Sequence, residues 1–145
     1  MYRILSGKLE VLLAHSGGPF WKNKDQGAWS IPKGEYNEEE EPLTAAIREF
    51  TEETGLPLTG NYIELQPVKQ KSGKLVRAWA VEGNPDISKF KSNNFSMEWP
   101  PKSGKIIEVP EIDKLSWFSI EEAKTKILPA QGLLVDDFLE KINIG

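Results

Sequence analysis

The run GEYNEEEEPLTAAIREFTEETGL, residues 34–56, constrains this chain more than any other segment. Its second half predicts a helix over 42–54. Pro42 suits the first helical turn, where its missing N–H is not needed. Leu43, Ala46, Ile47, Phe50 and Thr54 recur at steps of three and four and make one apolar stripe. Gly55 stands where a left-handed C-cap belongs, and Pro57 just beyond it stops the helix. Glu49, Glu52 and Glu53 then fall at i, i+3 and i+4, which directs their carboxylates to one flank. Crowded carboxylates repel one another unless a positive charge sits between them. A hard, oxygen-preferring cation such as Mg2+ or Mn2+ meets that need. Arg48 is placed to pair with a glutamate of the run and hold it in position.

A charge run on a helix is usually a solvated face, and Glu38 to Glu41 fit that description, because acids favour a helix N-terminus. A solvated face does not explain the rest of the spacing. Gly34 is followed after five residues by Glu40, and after seven more by Arg48-Glu49-Phe50-Thr51-Glu52-Glu53-Thr54-Gly55-Leu56. At average residue usage this pattern arises by chance in on the order of one in ten million chains of this length. It resembles the Nudix box, with every defining position filled. Glu40 either supports the preceding loop by hydrogen bonding or joins the metal shell.

The resemblance implies an α/β protein, the Nudix α/β/α sandwich with a mixed β-sheet and a catalytic loop–helix, as a single domain over 1–145. It implies Mg2+ or Mn2+ held by the Gly34 carbonyl with Glu49, Glu52 and Glu53, and Lys33 meeting a phosphate. The catalytic set is Glu52, Glu53, Arg48 and Glu111. The base is Glu52 or Glu53, with Glu111 as alternative. Nudix enzymes often carry an accessory glutamate in a loop near this stage of the chain, a role for which Glu111 and Glu98 compete. The implied reaction is hydrolysis of a pyrophosphate bond in a nucleoside diphosphate linked to a second group.

The rest of the chain reads as alternating strands and helices. Strands are expected over 9–14, 28–31, 62–70, 74–82, 95–99, 105–109 and 115–118, and helices over 120–127 and 131–142. Such interleaving favours a layered sandwich. A chain of 145 residues is long enough for one real core. With no cysteine, thiol chemistry and disulfides are excluded. With one histidine, His15, a multi-histidine metal site is excluded, and His15 reads as structural. Net charge −4 leaves no basic footprint for strong nucleic-acid binding. No signal peptide or membrane span is visible, so a cytoplasmic protein is expected. Trp29 reads as core. Trp21, beside Lys22 and Lys24, either packs in a surface loop or stacks on a substrate base. Gln131 reads as a cap of the last helix, or else as a residue that faces substrate.

The substrate is less constrained. WSIPKGE ahead of the box and WFSIEEAKTKILPA later most resemble the diadenosine tetraphosphate hydrolase and MutT-like branch. The Pro or Tyr that marks some subfamilies after the box is absent from Gln70 to Gly73, and the insertion 90–104 matches no substrate signature. Three functions follow. The first is Mg2+-dependent hydrolysis of dinucleoside polyphosphates or nucleoside triphosphates. The second is another Nudix reaction, at an RNA 5′ end or on an inositol polyphosphate. The third is nucleotide binding without catalysis. A small nucleotide is the expected partner, with no membrane.

Overall fold

A computed structural model describes residues 1–31, 40–58, 60–69, 73 and 75–143. The chain opens with a hairpin of β1 (Tyr2–Leu5) and β2 (Lys8–Ser16). Ser6 and Gly7 join them, both at positive φ (51° and 78°), the two-residue geometry that matches strand twist. The strand expected over 9–14 is therefore longer, and β1 is an element that its own short, polar-flanked pattern did not announce. β2 is the axis of the sheet. β10 (Ile112–Ser119) pairs antiparallel along one edge, while β1 and β3 (Trp29–Ser30) pair with β2 at successive positions. The segment at Glu82 and Gly83 runs parallel to β1, through the bridge Tyr2–Glu82 and the Gly83 N–H donating to the Tyr2 carbonyl at 2.9 Å, so the sheet is mixed.

Alternation along β2 divides the core. Leu13 packs with Trp29, Phe118, Ala123, Ile127 and Val135, on the side of helices α2 (Ile120–Lys126) and α3 (Gly132–Asn143). Leu12 and Ala14 pack with Phe50, Leu56, Ile112 and Leu115, on the side of α1 (Pro42–Thr54). The sheet thus has helices on both faces, as an α/β/α sandwich requires. Burying a Leu side chain contributes about 1.5–3 kcal/mol, so this one strand supplies much of what binds the layers together.

The expected long strands at 62–70 and 74–82 each break in two, giving β4 (Tyr62–Glu64), β5 (Val68–Lys69), β6 (Leu75–Val76) and β7 (Trp79–Val81). They pair as one interrupted hairpin, Tyr62 opposite Val81 and Val68 opposite Val76. Pro67 lacks the N–H that a continuous ladder needs at the break. α3 is tied to this hairpin by Asp137, which accepts from the Gln66 N–H at 2.8 Å, and by Lys141, which donates to the Glu64 carbonyl at 2.7 Å. Gln131 does not cap a helix with its side chain. It is fully buried, and its Oε1 accepts from the Ile31 N–H at 3.1 Å. That bond fixes the backbone just before the Pro-Lys-Gly run.

The insertion forms a separate hairpin of β8 (Asn94–Glu98) and β9 (Ile106–Pro110), paired only with each other among the described strands. Phe95 faces Val109 and Met97 faces Ile107, so one face carries four apolar residues. That face lies against Gly18, where an added Cβ would sit 3.6 Å from both Met97 and Val109. Next to it the Gly17 N–H donates to the Glu111 carbonyl at 3.0 Å, and a Cβ on Gly17 would run into the Pro110 carbonyl oxygen. Gly17→Ala should therefore cost about 1–3 kcal/mol, as overpacking does. Urea denaturation of the variant checks this, and a change below about 0.5 kcal/mol would show that the loop swings aside freely.

Candidate functional site

α1 begins and ends where the sequence places it. Glu41 is the N-cap, and its carboxylate accepts from the N–H groups of Leu43 (3.2 Å) and Thr44 (2.9 Å). Those bonds, Thr44 foremost, hold the Glu41 carboxyl below its ordinary pKa. Gly55 takes the left-handed conformation at φ 68°, and its N–H donates to the Thr51 carbonyl at 2.8 Å. The buried line of the helix is Ala45, Phe50, Glu53 and Thr54. A carboxylate therefore sits on the side that faces the sheet.

The three box carboxylates do not gather at one point. Glu52 and Glu53 lie about 100° apart around the helix axis. Glu53 is buried and Glu52 is exposed on the outer flank. Arg48 binds the outer pair. Its Nη1 lies 3.1 Å from a carboxylate oxygen of Glu49 and 3.1 Å from one of Glu52. Its Nε and Nη2 each donate to Glu40 at 2.8 Å, a two-pronged bond. These carboxylates, Glu40 foremost, raise the Arg48 pKa above its already high value. Of the two roles open to Glu40, the bonding to Arg48 is the one the structure shows. Gly34 and Lys33 lie outside the described residues.

Glu49 and Glu53 line one cavity of about 870 Å3 between α1 and the strands. Glu111, in the turn between β9 and β10, lines the same cavity, although it is distant in sequence. Glu98 is occupied elsewhere, accepting from the Lys102 N–H within its own hairpin turn at 2.5 Å. Of the two candidates for an accessory carboxylate, Glu111 is the one that lines the cavity beside the box helix. Arg77, which the sequence reading passed over, also lines this cavity and pairs with Glu64 at 3.3 Å. The oxygen-only donor set suits a hard divalent cation. Among the described residues, however, no three carboxylates stand close enough to form a shell, and Arg48 supplies the positive charge shared by Glu49 and Glu52.

His15 is structural. It is buried, with Nδ1 2.7 Å from Asp113 and Nε2 2.7 Å from the Lys24 carbonyl. Asp113 sits at the register shift of β10, which turns its side chain toward His15. Trp29 is core, as expected, with its ring N–H donating to Asp25 at 2.9 Å. Trp21 is half-buried beside the same core and also lines a second cleft of about 340 Å3, together with Phe20, Phe95, Met97 and Glu111. Phe95 and Met97 belong to the insertion 90–104 and were not singled out individually in the sequence, but they line this cleft. The only signal for them was their i, i+2 spacing within the insertion.

This combination, a capped acidic helix under a mixed sheet with a distant glutamate brought to it, has a counterpart in a family model. The NUDIX domain model matches residues 1–138. The chain belongs to the Nudix family. Its sequence is 37% identical over 126 residues to the m7GpppN-mRNA hydrolase dcap-2 of Caenorhabditis elegans, covering 80% of this chain and 14% of that protein. The chain thus spans about a seventh of that relative's length. Among solved structures, a C. elegans Ap4A hydrolase superposes with TM-score 0.66 at 24% identity, covering 99% of this chain and 93% of that one. The NUDIX domain of Shewanella oneidensis NrtR, complexed with ADP ribose, superposes with TM-score 0.63 at 15% identity, covering 97% and 82%. These structural likenesses establish the fold. No helix among the described residues is long and apolar enough to cross a membrane.

Proposed function

We propose that this Nudix domain, acting as a single unit over 1–145, hydrolyses a pyrophosphate bond in a nucleoside diphosphate linked to a second group. The observation that carries the reading is that Glu49, Glu53 and Glu111 line the same cavity. Mg2+ (or Mn2+) is the expected metal, and Glu49, Glu52, Glu53 and the Gly34 carbonyl would hold it only after the carboxylates, which stand apart in this structure, draw together. When bound, it neutralises phosphate charge and makes water a better nucleophile. The chain's own groups do the rest. Lys33 and Arg77 meet phosphate oxygens as cations. Arg48 holds Glu49 and Glu52 in place. Glu52 or Glu53, with Glu111 as alternative, takes a proton from the attacking water. Water's oxygen bonds to phosphorus, the bridging P–O bond breaks, and two phosphate-ended fragments leave.

For the second group we favour a nucleotide, as in a dinucleoside polyphosphate, or the diphosphate end of a nucleoside triphosphate. Net charge −4 gives little pull on a long polyanion. The 37% identity to an mRNA decapping enzyme favours a second reading, cleavage at an RNA 5′ end. Incubation with Mg2+ and diadenosine tetraphosphate, nucleoside triphosphates or capped RNA, followed by chromatography of products, separates them. We expect ATP and AMP from diadenosine tetraphosphate. Cleavage of capped RNA alone would move the assignment to the second reading, and turnover of none would reject hydrolysis.

A further inference from the structure

Gln131 is fully buried and lines neither cavity, yet its side chain closes a ladder that ends at the wall of the larger one. The chain after Gly27 runs parallel to the end of α2 and the turn beyond it. The Gly27 N–H donates to the Thr125 carbonyl at 3.0 Å, Trp29 bridges to Ile127, and the Leu128 N–H donates to the Trp29 carbonyl at 2.7 Å. The next rung of a parallel ladder would join the Ile31 N–H to the Leu128 carbonyl. That carbonyl is taken. A 3-10 turn, Pro129–Gln131, forms there, and the Gln131 N–H donates to it at 2.8 Å. The Gln131 side chain supplies what the turn withdraws, its Oε1 accepting from the Ile31 N–H at 3.1 Å. Pro32 has no N–H, so Ile31 is the last donor ahead of Lys33 and Gly34. Ile31 itself lines the cavity of Glu49, Glu53 and Glu111. The other end of the amide makes no bond: Nε2 is buried with no partner among the described residues. Packing alone would favour an apolar side chain here, because burying an unbonded amide N–H costs stability. The amide is explained by its oxygen.

We propose that Gln131 is a positioning residue of the hydrolysis site, its side-chain oxygen fixing Ile31 and with it the point from which the chain leaves for Lys33 and the Gly34 carbonyl. It touches neither substrate nor metal. A residue ahead of proline is confined to extended backbone, and proline fixes its own φ. An error in where Ile31 sits is therefore carried forward with little to absorb it. Groups that orient metal-binding atoms without binding metal typically change metal affinity or activity about 10- to 100-fold when lost. The inference rests on the reading above for what Lys33 and Gly34 do, but metal binding and amide exchange test it without turnover.

Two variants separate positioning from packing. Gln131→Met keeps an unbranched side chain but offers only a thioether, a weak acceptor. Gln131→Glu keeps an oxygen at the bonding position in either protonation state and loses only the Nε2 that bonds nothing. It also buries a carboxyl group, so it should be the less stable of the two in thermal unfolding. Function should run the other way. In Gln131→Met, Mn2+ affinity by calorimetry without substrate should fall about 10- to 100-fold, as should kcat/KM for whichever nucleotide the wild type hydrolyses. The Ile31 amide should exchange faster by NMR. In Gln131→Glu all of these should return toward wild type in spite of the lower melting temperature. Losses that follow melting temperature, with Glu worse than Met, would overturn the proposal and make Gln131 a packing residue. If Gln131→Glu does not fold, Gln131→Met decides: lost Mn2+ affinity at an unchanged melting temperature supports the role, and a loss that comes only with instability overturns it. Wild-type protein that binds Mn2+ but hydrolyses no nucleotide would reject the hydrolase reading alone, with the Mn2+ affinities still deciding for Gln131. Hydrolysis and Mn2+ binding unchanged in Gln131→Met would reject the positioning role alone.

Discussion

Glu53→Gln should lower kcat about 10^2- to 10^4-fold while the protein stays folded. The range is that of losing a group that transfers a proton in the transition state. The structure singles out this glutamate among its neighbours. It is the one box carboxylate on the sheet side of α1, buried, and on the same cavity as Glu49 and Glu111. A carboxylate is held in a buried position only at a desolvation cost, which a fold tolerates where the charge has work to do. Gln keeps the volume and a carbonyl oxygen but loses the negative charge, so the effect should fall on catalysis and metal affinity together. The same change at Glu52 removes an exposed carboxylate that pairs with Arg48, and it should also lose most activity if Glu52 ligates metal. Steady-state kinetics across Mg2+ concentrations, with circular dichroism to monitor folding, distinguish the two. If Glu53→Gln turned over normally and Glu52→Gln did not, the chemistry would belong to the outer flank. If both turned over normally, the site would be misplaced.

The site was legible in the sequence to the extent that its parts are local. A Pro at one end, a Gly at the other and carboxylates at helical spacing predict α1 residue for residue, because capping and periodicity act within a few turns. The hairpin flanking Pro100 and Gly104 was legible for the same reason. What spacing could not supply was the rotation of the helix against the sheet. Glu49, Glu52 and Glu53 share a flank on paper, but packing of Ala45 and Phe50 turns Glu53 inward and leaves Glu52 to Arg48. Contacts across long loops were equally silent. Nothing near Gln131 announces that it will bond the Ile31 N–H, and nothing near Lys24 announces that its carbonyl will meet His15. Glu111 was found by resemblance, and nothing near it in sequence announces that it will line the same cavity as Glu49 and Glu53. Phe20 looks like an ordinary loop residue until the glycine pair lets the hairpin that carries Phe95 approach its loop.

Arg48→Ala should lower activity about 10- to 100-fold and make stability depend on Mg2+ more steeply than in the wild type. The magnitude is that of removing a residue that orients metal ligands without binding metal. The reason lies in how the guanidinium divides its bonds. Nε and Nη2 are committed to Glu40, whereas Nη1 alone serves both Glu49 and Glu52. A cation arriving at Glu49 and Glu52 can displace the Nη1 contacts while the two-pronged bond to Glu40 keeps the side chain tethered. Without Arg48, Glu49 and Glu52 lose the cation they share, and a divalent ion can take its place between them. Lys at this position keeps the charge but not the fork, so it should restore stability better than it restores activity. Thermal unfolding with and without Mg2+ reads the first effect, and kinetics of the Ala and Lys variants reads the second. An equal Mg2+ shift in wild type and Arg48→Ala would mean that the metal and Arg48 do not share carboxylates, and Arg48 would then be a structural strut for the Glu40 loop alone.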